Sequence, residues 1–250
     1  MCLLDCDVDE PNAHILLHPV ISKTIPATIL LPSIDEKKCD GCGECARVCE
    51  YHALTVLGGR PLLFEHLCHS CGGCGLVCPK RAISETRKTV GRIDVGDAGD
   101  VRFIAGELNV GEVMCPPVIR QVKAEARGCG DVIIDSPPGT ACPMVAAVQG
   151  SDYCILVTEP TPFGLHDLTL AVDVVKKLGV PFGVVINIAD IGDDGVDRYC
   201  RGHDIPVLAR IPYERAVAEA YSRGVSFVDA KPEFRGMFAG IFQDIRARIA

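Results

Sequence analysis

The sequence predicts an α/β fold built on a mostly parallel, doubly wound sheet. Short apolar runs recur as continuous stretches, which is typical of strands that are covered on both faces. Stretches with helical periodicity lie between these runs, and such alternation favours a parallel sheet. The chain has 250 residues, of which 48% are hydrophobic, so it is long enough to bury a substantial core.

Six strands are predicted, at residues 1–5, 101–107, 131–135, 153–158, 182–187 and 206–211. The clearest predicted helix follows the fourth of them. There Leu165, Leu168, Val172 and Val175 recur at helical spacing, and Gly179 stands where a helix would end.

Residues 33–88 interrupt the alternation of strands and helices with an internal repeat. CDGCGECARVCEYHAL begins at Cys39 and CHSCGGCGLVCPKRAI begins at Cys68. We therefore expect a small inserted α+β domain, the cysteine module, which divides the chain into residues 1–32, 33–88 and 89–250.

Each half of the repeat has the spacing C-x2-C-x2-C-x3-C. Three closely spaced cysteines can ligate one [4Fe-4S] cluster, and the fourth ligates the other cluster, as in bacterial two-cluster ferredoxins. The predicted ligands are Cys39, Cys42, Cys45 and Cys78 for the first cluster, and Cys68, Cys71, Cys74 and Cys49 for the second. Pro79 completes the usual Cys-Pro ending of the second motif, whereas Glu50 replaces that proline in the first.

Structural zinc is the alternative for these eight cysteines. Zinc sites usually combine two separated C-x2-C pairs with four ligands per ion, and two cysteine triplets fit that pattern poorly. The other seven cysteines form no C-x2-C pair, so each is expected to be a small buried apolar residue: Cys2, Cys6, Cys115, Cys129, Cys142, Cys154 and Cys200.

Composition limits the possible partners. The formal net charge of −8 and the lack of a basic stripe argue against nucleic-acid binding. No apolar run is long enough for a membrane span and no leader pattern occurs, so we expect a cytoplasmic protein. Near the C-terminus, Phe234, Phe238, Phe242 and Ile245 share one helical side, which we expect to pack on the sheet rather than on a membrane.

Carboxylates end two of the predicted strands. DVIIDSPPGT ends its strand at Asp135 and continues into a turn that contains Gly139. An aspartate there can hold Mg²⁺ through water in a P-loop enzyme, and the glycine lets the backbone move when the γ-phosphate leaves. A strand-ending aspartate is also common in ordinary turns. Asp5-x-Asp7 after the first strand strengthens the nucleotide interpretation.

Several separated motifs together resemble the MinD/Mrp group of deviant-Walker ATPases, in particular its members with an inserted two-cluster ferredoxin domain. The motifs are LLDCDVDEPN, GELNVGE, DSPPGTACP, TEPTPFGLHDL and VVIN, in family order over nearly the whole chain. The resemblance implies a P-loop NTPase-like fold, ATP and Mg²⁺ as ligands, and a homodimer.

The first matching residues follow the first strand. Asp5 and Asp7 match the family's switch I pair, with Asp7 as the candidate that orients the attacking water. Asn12 matches a polar position of switch I. Asp7 could also be an ordinary solvated loop carboxylate.

The other matching residues lie in the second half of the chain. Asp135 matches the Walker B aspartate and Gly139 the switch II glycine. Asn187 matches the residue that recognises adenine, and Pro212 belongs to a loop that borders the base. Asn187 could instead cap a turn.

One family motif is missing. G-x-x-x-x-G-K-[ST], the loop that binds the phosphates, occurs nowhere in the 250 residues. The resemblance places this loop and a central first strand before the Asp-x-Asp strand, so we expect both to lie upstream of Met1. The alternative is a sheet that has closed up and lost ATP binding.

Three functions fit these observations. The leading hypothesis is an iron–sulfur ATPase that couples ATP binding and hydrolysis to electron transfer or cluster handling. The alternative is a non-enzymatic, ferredoxin-like electron carrier on a degenerate NTPase scaffold. A third, an Mrp-like cluster carrier, would need ligands that bridge a dimer, and no C-x2-C pair outside the module supports it. The redox partner or client protein is left open.

Overall fold

The computed structural model describes residues 1–249, which fold into two units. The first unit contains residues 1–11 and 20–133. The second unit contains residues 12–19 and the chain from Ile134 onward. The whole cysteine module therefore belongs to the first unit.

The strands and helices alternate along much of the chain. The strands are β1 (Cys2–Asp5), β2 (Val20–Ile34), β3 (Leu54–Leu57), β4 (Arg60–Leu63), β5 (Ile83–Ala98), β6 (Val101–Leu108), β7 (Val132–Asp135), β8 (Cys154–Thr158), β9 (Phe182–Asn187) and β10 (Val207–Ile211). The α-helices are α1 (Ala13–Leu17), α2 (Glu44–Arg47), α3 (Gly73–Val77), α4 (Cys115–Glu125), α5 (Cys142–Val148), α6 (Pro162–Leu178), α7 (Gly195–Gly202), α8 (Arg215–Tyr221), α9 (Phe227–Ala230) and α10 (Arg235–Ile249). Short 3₁₀ turns lie at Glu65–Leu67 and Pro232–Phe234.

The strands form two larger sheets and a hairpin. The first sheet has the order β2-β5-β6-β1-β7, the second has the order β10-β9-β8, and β3 pairs with β4. The predicted α/β class is confirmed, and all six predicted strands are present. The prediction of a mostly parallel sheet is confirmed only in part. The pairs β1–β6, β8–β9 and β9–β10 are parallel, whereas β2, β5 and β6 pair antiparallel, so the five-stranded sheet is mixed.

Two long antiparallel strands carry the cysteine module. β2 and β5 pair from Val20 with Asp97 to Ile34 with Ile83. The module's α2, α3 and β3–β4 hairpin lie between the ends of these strands in sequence. The predicted boundaries at residues 33 and 88 fall inside β2 and β5, and an independently folded ferredoxin domain stays a prediction.

Helix α4 covers one face of the first unit's sheet. Its buried residues Val118, Ile119 and Val122 point toward β6, where Gly106 leaves room for them. A Cβ at Gly106 would lie 2.7 Å from a methyl group of Val122. The Gln121 side chain fastens the helix to β2, since its Nε2 donates to the Thr28 carbonyl at 2.9 Å.

The second unit is built around its parallel three-stranded sheet. Leu168 and Val172 of α6 are buried against Val184 and Ile186 of β9. The helix ends as predicted at Gly179, whose φ of +69° is left-handed and favours glycine.

Helix α10 packs on β9 and β10, as the sequence predicts. Ile241 is buried with Val185 and Ile211, and Phe238 and Ile245 pack against them. Phe242 is only half-buried and lies under the Arg246 guanidinium, so it is not part of that contact. Within residues 1–249 no helix is both long and apolar enough to cross a bilayer.

Strands β7 and β8 are edge strands of their sheets. Val132 and Ile133 of β7 and Ile155 and Val157 of β8 are exposed. Their continuous apolar sequences predict strands covered on both faces, and for the described residues that expectation is wrong.

Candidate functional site

The four predicted ligands of the first cluster line one cavity in the cysteine module. Cys39, Cys42, Cys45 and Cys78 surround it with the apolar side chains of Ile34, Val56 and Ile83. The loop before α2 supplies the first two cysteines, α2 supplies Cys45, and Cys78 follows α3. The cavity thus contains three cysteines of the first motif and the last cysteine of the second.

The other four predicted ligands line a second cavity. Cys68, Cys71 and Cys74 come from the second motif, and Cys49 is the last cysteine of the first. Tyr51 and His69 also line this cavity, and their rings stack with centroids 3.4 Å apart.

Backbone groups help to hold the last cysteine of each motif. The amide of Ala53 donates to Cys49 Sγ at 3.3 Å, and the amide of Ala82 donates to Cys78 Sγ at the same distance. Each donor lies four residues after its cysteine, so the two halves of the repeat share this local structure. Amide donors of this kind stabilise thiolate sulfur.

Deprotonation of these cysteines is unfavourable when no cation is bound. Burial raises the pKa values of Cys45, Cys68 and Cys74 above the ordinary cysteine value. Neighbouring cysteines add to the shift, because nearby negative charges repel. A cationic group in each cavity would stabilise the deprotonated thiolates by charge attraction, as a bound metal does in a metal site.

The sulfur atoms are not arranged around one ion. Across residues 1–249 no three His, Cys, Asp or Glu side chains are grouped closely enough to hold a single metal ion. Each set of four cysteines supplies the soft thiolate ligands that an iron–sulfur cluster uses.

The remaining cysteines follow the prediction only in part. Cys6, Cys115 and Cys200 are buried, whereas Cys142 is exposed. Cys2 and Cys129 form a disulfide with Cα atoms 6.1 Å apart, so the expectation of separate apolar residues is wrong for this pair. They are 127 residues apart in sequence, and only the tertiary fold brings them together.

The Asp-x-Asp pair lies at the end of β1. Asp5 is fully buried, and its Oδ1 accepts a hydrogen bond from the Asp7 amide at 3.3 Å. Asp7 is partly exposed. Two residues further on, the thiol of Cys115 donates to Asp9 Oδ2 at 3.2 Å.

Asn12 belongs to the second unit, not to the unit that contains Asp5 and Asp7. It precedes α1 and makes no side-chain capping hydrogen bond there. Its carbonyl accepts a hydrogen bond from the Ile15 amide at 3.0 Å. The amide side chain is therefore not used to start the helix.

Asp135 and Gly139 lie where the sequence places them. Asp135 is the last residue of β7 and is exposed, although partial burial of its carboxyl group raises its pKa. Gly139 has a φ of +86°, which a non-glycine residue seldom adopts, and open space surrounds the position of a Cβ.

Asn187 and Pro212 lie side by side at the ends of two parallel strands. Asn187 pairs with Ile211, the residue before Pro212. The Ala189 amide donates to the Ile211 carbonyl at 2.9 Å, and the Tyr213 amide donates to Asp190 Oδ1 at 2.6 Å. Sequence reasoning missed Asp190, whose signal was a carboxylate three residues after a predicted strand.

Comparison with known proteins supports the fold and the first cysteine motif. A family model for a 4Fe-4S binding domain matches residues 31–54. The fold is similar to the septum site-determining protein MinD of Pyrococcus horikoshii, with a TM-score of 0.56, 19% identity and coverage of 96% of this chain and 79% of that one.

Two protein sequences extend the comparison. An iron–sulfur cluster carrier protein of Pyrococcus horikoshii is 31% identical over 112 residues, which span 39% of this chain and 38% of that protein. Uncharacterized protein MJ0579 of Methanocaldococcus jannaschii is 31% identical over 229 residues, which span 90% of this chain and 80% of that protein.

Fold and cysteine motif together define a MinD-like α/β fold with a segment that matches a 4Fe-4S binding domain. Within that class, the chain belongs to the family of MJ0579.

Proposed function

We propose that this protein holds two [4Fe-4S] clusters and transfers electrons through them, coupled to ATP binding and hydrolysis. Cys39, Cys42, Cys45 and Cys78 would ligate the first cluster. Cys49, Cys68, Cys71 and Cys74 would ligate the second. The observation that carries this proposal is that each set of four cysteines lines its own cavity.

The clusters would supply one-electron redox chemistry, and the protein would control their surroundings. Apolar side chains line both cavities, among them Ile34 and Val56 in the first and Leu54 and Leu63 in the second. Exclusion of water and amide donation to the sulfurs are two means by which a protein sets cluster potential.

An anaerobic redox titration of the purified protein tests this half of the proposal. Two one-electron transitions should be seen by electron paramagnetic resonance. A protein without redox transitions, or with only one, would contradict it.

ATP coupling rests on the MinD-like fold and on the strand ends. Asn187 and the residue before Pro212 are paired at the ends of β9 and β10, and Asp5 is the last residue of β1. By resemblance, ATP and Mg²⁺ would be the ligands, with Asp135 as the residue that holds the ion and Gly139 in the loop that moves. A homodimer is expected for this group of proteins.

A direct test measures Mg-ATP binding and hydrolysis by the native protein. Asp7→Asn should abolish turnover and retain binding, because its proposed role is to orient water rather than to hold the nucleotide. Retained turnover would remove that role from Asp7.

The alternative is an electron carrier that does not bind ATP. It is favoured by the lack of a G-x-x-x-x-G-K-[ST] motif in the 250 residues. Failure of the native protein to bind Mg-ATP would select this alternative and leave the two-cluster proposal standing.

Cluster delivery to a client protein is a further way to use the same module. Similarity to the iron–sulfur cluster carrier protein of Pyrococcus horikoshii supports this possibility, although the shared segment covers only 38% of that protein. Transfer of a cluster from the loaded protein to an apo-ferredoxin, with loss of iron from the donor, would distinguish delivery from electron transfer.

A further inference from the structure

A serine hydroxyl in the second cavity has no hydrogen-bond partner. Ser70 lies between Cys68 and Cys71, and its Oγ is buried. Within residues 1–249 only one other buried side-chain nitrogen or oxygen atom, the Tyr153 hydroxyl, shares this condition. Buried hydroxyls are almost always hydrogen-bonded, so an acceptor is expected beside Ser70.

The backbone conformation of Ser70 favours glycine over serine. Its φ of +55° lies in the left-handed region, which non-glycine residues seldom adopt. The corresponding residue of the first motif is Gly41, with a φ of +71°. The side chain of Ser70 is thus held in a conformation where glycine would be unstrained, a situation that is common at functional sites.

The surroundings of Ser70 indicate which acceptor is expected. Four cysteine sulfurs line the same cavity. The Glu85 carboxylate also lines it, close to Gly72, but Ser70 Oγ makes no hydrogen bond to it. A cluster in this cavity would bring sulfur acceptors to the unpartnered hydroxyl.

We propose that the Ser70 hydroxyl donates a hydrogen bond to a sulfur atom of the second cluster and thereby raises the reduction potential of that cluster. The inference rests on the proposed function, since it requires a cluster in this cavity. The reduced cluster carries one more negative charge than the oxidised cluster. A donor therefore stabilises the reduced state more, while its proton stays on the serine oxygen.

In the first motif, the position equivalent to Ser70 supplies no side-chain donor. Gly41 lacks a side chain, and a Cβ there would lie 2.4 Å from the Gly59 carbonyl oxygen, so a serine would not fit. Ser70 therefore acts on only one of the two clusters and contributes to a difference between their potentials.

The test compares the wild-type protein, loaded with clusters, with Ser70→Ala and Ser70→Gly. The glycine variant removes the hydroxyl without backbone strain, so it guards against misfolding of the alanine variant. Ser84→Ala is the matched control, because its hydroxyl donates to the Ser33 carbonyl on the exposed β2–β5 pair. Cys71→Ala identifies the signal of the second cluster.

Iron and sulfide analysis comes first, followed by an anaerobic titration monitored by electron paramagnetic resonance. Both Ser70 variants should lower the equilibrium constant for reduction of the second cluster about tenfold, which is 59 mV for one electron. The first cluster and the Ser84→Ala protein should keep the wild-type potentials.

Three results would overturn the inference. Two clusters with unchanged potentials in both Ser70 variants would do so and leave the proposed function intact. Loss of the second cluster from both variants would show a role in assembly instead. A wild-type protein without a second cluster would remove the proposed function as well.

Discussion

Lys80 and Asp40 form an ion pair, with Nζ of the lysine 3.6 Å from Oδ2 of the aspartate. Asp40 follows the first cysteine of the first motif, and Lys80 lies two residues after the last cysteine of the second. Both side chains are about half exposed, so the pair contributes little stability. The ion pair joins the two motifs beside the first cavity.

The crossed arrangement of the motifs can be tested by removing one fourth cysteine. Cys78→Ala should abolish the cluster held by Cys39, Cys42 and Cys45, although these belong to the other motif. We expect the iron content to fall from about eight to about four atoms per chain. Iron analysis and electron paramagnetic resonance would measure the loss.

Two controls accompany this variant. Cys49→Ala should remove the other cluster and leave a different resonance signal. Cys142→Ala should change nothing, since Cys142 is exposed and lies outside the module. If Cys78→Ala removed the cluster of its own motif, the assignment of the fourth cysteines would be reversed.

Cluster retention should depend on pH. Because burial raises the pKa values of Cys45, Cys68 and Cys74, their thiols hold protons through neutral pH when iron is absent. Protons therefore compete with iron for these sulfurs as the pH falls. Loss of iron to a chelator should accelerate between about pH 8 and about pH 6. A rate that did not rise on acidification would contradict this explanation.

Cys115 should be unreactive although it is a free cysteine. Burial, reinforced by the hydrogen bond to Asp9, raises its pKa to about 12. At about pH 8 roughly one molecule in ten thousand would carry the thiolate, the reactive form. Iodoacetamide labelling followed by peptide mass spectrometry should modify the exposed Cys142 and spare Cys115. Equal labelling of the two would show that Cys115 is accessible.

The packing of α6 can be tested with two leucines on different sides of the helix. Leu168 is 3% exposed and Leu170 is 45% exposed. Leu168→Ala should lower the free energy of unfolding by about 2–5 kcal/mol, because it leaves a cavity against β9. Leu170→Ala should change it by about 0.5 kcal/mol or less. Guanidinium denaturation monitored by circular dichroism would compare them, and equal losses would contradict the described packing.

Continuous apolar runs and helical spacing were sufficient to predict much of the α/β architecture. β1 and β6–β10 all lie within a few residues of their predicted positions, and α6 ends at Gly179. Local sequence carries this information for β1, β6 and β9, because buried strands need apolar residues on both faces. β7 and β8 have the same apolar pattern although part of their surface is exposed.

The antiparallel pair β2–β5 was missed for a physical reason. Its strands mix charged, polar and apolar residues, and much of their surface is exposed. Such strands are stabilised by pairing with each other, and pairing between residues 20–34 and 83–98 is not visible in either segment alone.

The two sets of four cysteines could be proposed from the sequence because ligand spacing is a local property. Each set lines one cavity, and its role as a cluster ligand set stays a prediction. The disulfide between Cys2 and Cys129 was not predictable in this way. Nor was the unpartnered hydroxyl of Ser70, since it depends on the tertiary surroundings of a single side chain.

The most direct test of the central proposal is the metal and sulfide content of the anaerobically purified protein, together with a spin count after full reduction. We predict about eight iron atoms and eight sulfides per chain, with two paramagnetic centres. A protein that contained zinc, or about four iron atoms and one paramagnetic centre, would contradict it.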